Sequence, residues 1–192
     1  MPATPDLTVA QILGFSVTSG IVTFILNSVL STYKERKAAA IEVSHVALRA
    51  ALALEKYAIA CGTCLSDSGT FYASSGGDGA PITQLPALDL PANIEWKRLK
   101  PNLANRALSL ENTINYGNGA ISFEIGYNSP DEECRQGELQ AGHCGHLAIL
   151  LAEELRTEYK LPPMEALSKW DFRRFLKEKH DEYVATLVDY PE

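Results

Sequence analysis

The stretch "ILGFSVTSGIVTFILNSVL", Ile12 to Leu30, decides how this chain is to be read. It lies inside a longer run, Leu7 to Tyr33, that carries no charge at all. A helix needs about 20 apolar residues to span the hydrocarbon of a bilayer, so length permits a transmembrane helix. Composition is less generous. Twelve residues between Val9 and Leu30 are Val, Ile, Leu or Phe. At roughly −0.3 to −0.6 kcal/mol each, these contribute about −4 to −7 kcal/mol to insertion. Gln11, Asn27 and five Ser or Thr residues oppose it.

The polar residues of this run keep a register. Ser19, Thr23, Asn27 and Ser31 recur every fourth position, with Ser16 and Gly20 beside them. A helix gathers them into one narrow stripe. Membrane helices associate through such stripes, because small residues let backbones approach and Asn or Ser hydrogen-bonds across. Ser16, Ser19, Gly20, Thr23 and Asn27 are therefore the expected self-association face. The alternative is the wet side of a helix in a soluble helical protein, which must explain a water-facing stripe without Lys, Glu or Arg.

The flanks orient the run. "MPATPD" has no basic residue, which argues against a cleaved signal peptide. "YKERK" follows at once, with Lys34, Arg36 and Lys37. The positive-inside rule then places the N-terminus outside and the body in the cytoplasm. The expected organisation is a short tail over 1–8, a transmembrane helix over 9–33 and a small helical bundle over 34–192, with a flexible loop at 66–81. The fold class expected is mainly α.

From Ala38 onward there are 14 Lys or Arg against 22 Asp or Glu, and the whole chain carries −7. An acidic body argues against nucleic acid as a partner. The bilayer, and a second copy of the membrane helix, are the partners this reading implies. Four cysteines in 192 residues are too few for a disulfide scaffold.

Val43, Val46, Ala47, Ala50, Leu54, Tyr57, Ala58 and Cys61 follow helical spacing, while Glu35, Glu42, Arg49 and Lys56 mark a wet face. With no Gly or Pro between Tyr33 and Cys61, the first helix can run on unbroken. "SDSGTFYASSGGDGAP" (66–81) reads as a surface loop. Pro101 suits the first turn of a short helix toward Leu108. The segment 108–127 reads two ways. Ile121, Phe123, Ile125 and Tyr127 alternate as in a hairpin strand. Leu110, Ile114, Gly117, Ile121 and Ile125 fit a helical stripe, and the helix is preferred because no third strand is in sight. "SPDEE" offers Ser129 and Glu132 as a capping box around Pro130, starting a helix that runs to about Lys160. A last helix begins near Ser168, where Asp171 repeats the box and Phe172, Phe175, Leu176 and Tyr183 make the apolar stripe.

"LEKYAIAC" (54–61) and "WKRLKPNLANRALSL" (96–110) resemble a loose group of short bacterial proteins of no known activity. That group pairs an N-terminal apolar segment with a helical body. The resemblance implies bacterial origin, and with it the inner membrane as location. It implies no activity for any residue.

Two strings could carry chemistry: "CGTC" at 61–64 and "HCGH" at 143–146. Zinc takes about four Cys or His ligands in a tetrahedron. Cys61, Cys64, His143 and His146 would supply a Cys2His2 set if their helices pack together, with Cys144 in reserve. The competing reading is two helix faces, with cysteine as a small hydrophobe and histidine simply hydrogen-bonded. "CGTC" as a redox dithiol needs an activated thiolate, and the C-terminal end of a helix disfavours one. "SKWDFRRFLKEK" (168–179) and "WKRLKPNLANR" (96–106) mix aromatics with basic residues, so each suits either a membrane surface or a packed helix with a wet basic side. No nucleotide-binding loop, zinc-protease helix or serine-hydrolase elbow is present. The most economical reading is a membrane-anchored scaffold or interaction protein rather than an enzyme, with a zinc site as the rival.

Overall fold

The structure is a computed structural model. It describes the backbone of residues 9–127, 130–165 and 170–188, and the side chains of 30–123, 134–165 and 170–188. Among the described residues the chain is mainly α, with four α-helices and no strand: α1 (Val9–Ala73), α2 (Pro101–Tyr127), α3 (Pro130–Glu158) and α4 (Phe172–Val188). A single 3-10 turn, Trp96–Arg98, precedes α2. The chain divides into two units, Met1–Glu42 and Val43–Glu192. The first holds the N-terminal part of α1, and the second holds the rest of α1 with the other three helices.

Helix α1 runs on past Tyr33 without a break, as the lack of Gly and Pro predicts. Among the described residues no helix is long and apolar enough to cross a membrane. The uncharged stretch as far as residue 29, and with it the face of Ser16, Ser19, Gly20, Thr23 and Asn27, lies outside the described side chains. The described side chains of the first unit, 30–42, are all exposed.

The core of the second unit is built on small residues. From α1 it takes Ala47, Ala50, Ala51, Leu54, Tyr57, Ala58, Cys61 and Leu65. Six of these are the helical stripe read from the sequence, while Val43 and Val46 are only half-buried. From α2 come Leu103, Ala107, Leu110, Ile114 and Ile121, spaced four and three apart with Gly117 between the last two. From α3 come Ala141, Cys144, Ala148, Ile149, Leu151, Ala152 and Leu155. Alanine at so many facing positions lets the helix axes approach closely.

Two expectations are corrected here. The hairpin alternative at 108–127 is overturned: α2 covers the whole segment, and far outruns the short helix expected from Pro101. Burying Leu110, Ile114 and Ile121 along one stripe gains more than a two-stranded ribbon could. The loop expected over 66–81 begins only at Ser74, because α1 continues to Ala73. Leu65 and Ser68 are buried, and the Ser68 hydroxyl donates to Glu138 Oε1 at 2.9 Å. Tertiary contacts thus hold the last turns of α1 helical despite their Ser and Gly content. Beyond it, Ile82, Leu85 and Ile94 tuck an extended segment onto the core, and the Leu85 amide donates to Asn118 Oδ1 at 2.8 Å.

Helix ends follow ordinary capping. The Ser129/Glu132 box lies outside the described residues, but α3 does begin at Pro130. It ends in a Schellman turn: Lys160 is left-handed at φ 54°, and the Leu161 amide donates to the Arg156 carbonyl at 2.8 Å. Asp171, the expected box partner of Ser168, is itself the N-cap of α4, its Oδ1 accepting from the Arg174 amide at 3.3 Å.

Candidate functional site

The string from Gly142 to His146 in α3 is where helix α4 docks. Cys144 points into the core, while His143 and His146, three residues apart, share a half-buried face. Gly142 and Gly145 make the seat. A Cβ at Gly145 would stand 2.6 Å from a Leu176 methyl and 2.8 Å from Cys61 Cβ, and one at Gly142 would overlap Lys179. Each glycine costs a helix about 1 kcal/mol, and here that cost is offset by the close approach of α4.

The approach lays His180 of α4 against both histidines of α3. His143 Nδ1 and His180 Nδ1 are 3.0 Å apart. The two ring planes differ by only 11° and the centroids are 5.1 Å apart. So short an N···N gap with so long a centroid gap requires rings edge to edge and nearly coplanar, with the nitrogens meeting head on. This is an N–H···N hydrogen bond, in which one ring donates and the other accepts. His146 lies with its ring centroid 4.6 Å from that of His180, and Tyr183 with its centroid 4.3 Å from that of His143.

Electrostatics keep the cluster neutral near pH 7. Burial holds His143 down to about 4, with His180 and then His146 adding to the effect. Burial also lowers His146, helped by His180 and Lys177 and opposed by Asp181. Burial lowers His180 as well, with Asp181 opposing and Lys177 assisting. Lys179 is raised: burial works against its charge, but Glu138 at 3.0 Å and Glu182 at 3.1 Å outweigh it.

Behind the histidines lies a second, dry set. The Tyr57 hydroxyl is buried without an oxygen or nitrogen partner and faces the thiols of Cys61 and Cys144, which are weak partners. Burial pushes the Cys61 thiol far up, and pushes that of Cys144 up to about 12. Cys64, half-buried, is raised by burial and then by Asp67. Neither thiol of "CGTC" is activated, so the redox reading has no thiolate to work with.

The four residues expected to form a zinc tetrahedron are thus divided. Cys61 sits with Tyr57 and Cys144, and His143 and His146 sit with His180. Among the described residues no three His, Cys, Asp or Glu side chains are grouped to hold a metal ion. The head-on nitrogen pair also has the geometry of a shared proton.

His180 and Tyr183 were not singled out as site residues from the sequence. The signal was available: Leu176, His180 and Tyr183 are spaced four and three apart, so His180 belongs to the packed stripe of the last helix. No family model, curated protein or solved structure matches this chain.

Proposed function

We propose that the protein is a single-pass, membrane-anchored helical scaffold or interaction module of a bacterial inner membrane, with its N-terminus outside and its bundle in the cytoplasm. The observation that carries this reading is the uncharged run Leu7–Tyr33 ending on Lys34, Arg36 and Lys37. From Val9 onward that run is helical, as a membrane span requires. Exposure of the flank supports it too: Leu30 is 52%, Tyr33 66% and Ile41 50% exposed. Apolar side chains left uncovered beside a basic cluster suit a lipid interface. Fractionation of cells expressing the full chain tests the reading. The protein is expected to pellet with membranes and resist alkaline extraction. Release into the supernatant would leave a helical protein whose first helix is covered in some other way.

A further inference from the structure

We propose that α4 is a proton-sensitive latch, seated on Gly142 and Gly145 at neutral pH by the head-on His143–His180 bond and released when the histidine cluster is protonated. This inference stands apart from the membrane reading, because it rests only on contacts between α3 and α4.

The bond sets the logic. With both rings neutral, one Nδ1 donates and the other accepts. One added proton still leaves a donor facing an acceptor. A second puts a hydrogen on each Nδ1, and the contact becomes a repulsion between two imidazolium rings. His146, its ring beside that of His180, adds a third positive charge as it titrates. Tyr183 packs against His143 with its ring tilted by 35°, and would be carried away with α4.

The surroundings decide how readily this happens. From α4, Lys177 opposes protonation of His146 and His180, and Asp181 favours it. Lys179 of α4 is paired with Glu182 of the same helix and with Glu138 of α3, which also accepts from Ser68 of α1. From α3, Gln140 bonds Tyr183, and Cys144 lies near it, backed by Tyr57 and Cys61 of α1. From α2, Tyr116 lies close to Tyr183. Among the described residues Asp181 is the charge that draws a proton toward the cluster, and burial outweighs it, so docking favours the neutral rings.

The sign follows. The docked histidines titrate below their free value of about 6.5. Released α4 therefore binds more protons than docked α4 as the pH falls from there toward about 4, where His143 titrates. Docking is at full strength above that window and weakens through it. Release uncovers Leu176, fully buried when docked, and the glycine face of α3.

The test is hydrogen exchange on the full chain in the presence of a metal chelator, with rates corrected for intrinsic pH dependence. Protection of α4 amides is expected to fall at least about ten-fold between pH 7.5 and 4.5, the effect of a one-unit depression of a single histidine. Protection of α2 amides serves as the internal reference and should hold. In the His143→Gln/His180→Gln double variant the α4 amides should show a much smaller change with pH, because Gln cannot be charged and only His146 is left to titrate. The single variant His146→Gln should narrow the response and serves if the double variant folds poorly. A wild-type α4 whose protection holds at pH 4.5 would overturn the proposal. So would an equal loss in the His→Gln variants, which would assign the effect to the carboxylates Glu138, Asp181 and Glu182.

Discussion

Glu55 and Arg156, 101 residues apart, form a bidentate ion pair inside the bundle. Arg156 Nε donates to Glu55 Oε1 at 2.5 Å and Nη2 to Oε2 at 2.9 Å, while Nη1 donates to the Pro162 carbonyl. Both side chains are buried. The pair ties α1 to the C-terminal end of α3 and holds the chain that leaves it. Removing one partner strands the other's charge without water. Arg156→Met is therefore expected to lower unfolding stability by about 3–5 kcal/mol, read from urea denaturation. The double variant Glu55→Leu/Arg156→Met should recover most of that loss, because no lone charge remains.

The glycine seat predicts opposite outcomes at two glycines. Gly145→Val forces a side chain into Leu176 and Cys61. Overpacking of this kind costs about 1–3 kcal/mol, and α4 should lose exchange protection first. Gly119, on the exposed side of α2, has nothing within 4 Å of a built Cβ. Gly119→Ala should stabilise by about 0.4–1 kcal/mol through the unfolded state. A shared direction of change in the two melting curves would contradict the seat.

Cysteine reactivity should separate one thiol from three. Cys61, Cys134 and Cys144 are buried and only Cys64 is partly exposed. Iodoacetamide at pH 7.5 should label Cys64 first, at a rate below that of a free thiol because its pKa is raised. The other three should label only after denaturant is added, as read by peptide mass spectrometry.

Asn27→Leu tests the proposed membrane helix as an association surface. In membranes the change removes the largest polar group of the Ser16/Ser19/Gly20/Thr23/Asn27 stripe. Crosslinking between copies should drop while membrane retention holds or rises. Crosslinking unchanged by the substitution would count against that face.

Much of the bundle was legible in the sequence. The stripe from Ala47 to Cys61 reads as a buried face because it repeats every three to four residues, and the structure buries it. The ends of α3 were legible because Pro130 and Pro162 are local signals. Segment 108–127 was ambiguous because Ile121, Phe123 and Ile125 satisfy a two-residue period and Ile114, Gly117 and Ile121 satisfy a helical one. Long-range packing, absent from any local window, settled it. Glu55 was hidden for the same reason, since a carboxylate beside Lys56 looks like part of a wet face until Arg156 is brought to it. The histidine cluster was half legible: "HCGH" was visible as a string, but its partner is His180, which only the docking of α4 supplies.

The alanine-lined interior leaves evolution an uneven set of choices. Ala47, Ala50, Ala51, Ala58, Ala107, Ala141, Ala148 and Ala152 have almost nothing left to trim, so any change at these positions except to glycine enlarges them. Divergent copies of this gene should therefore vary freely in their loops and rims while these eight sites stay small, and a bulky residue at one should come paired with a shrunken neighbour on the opposing helix.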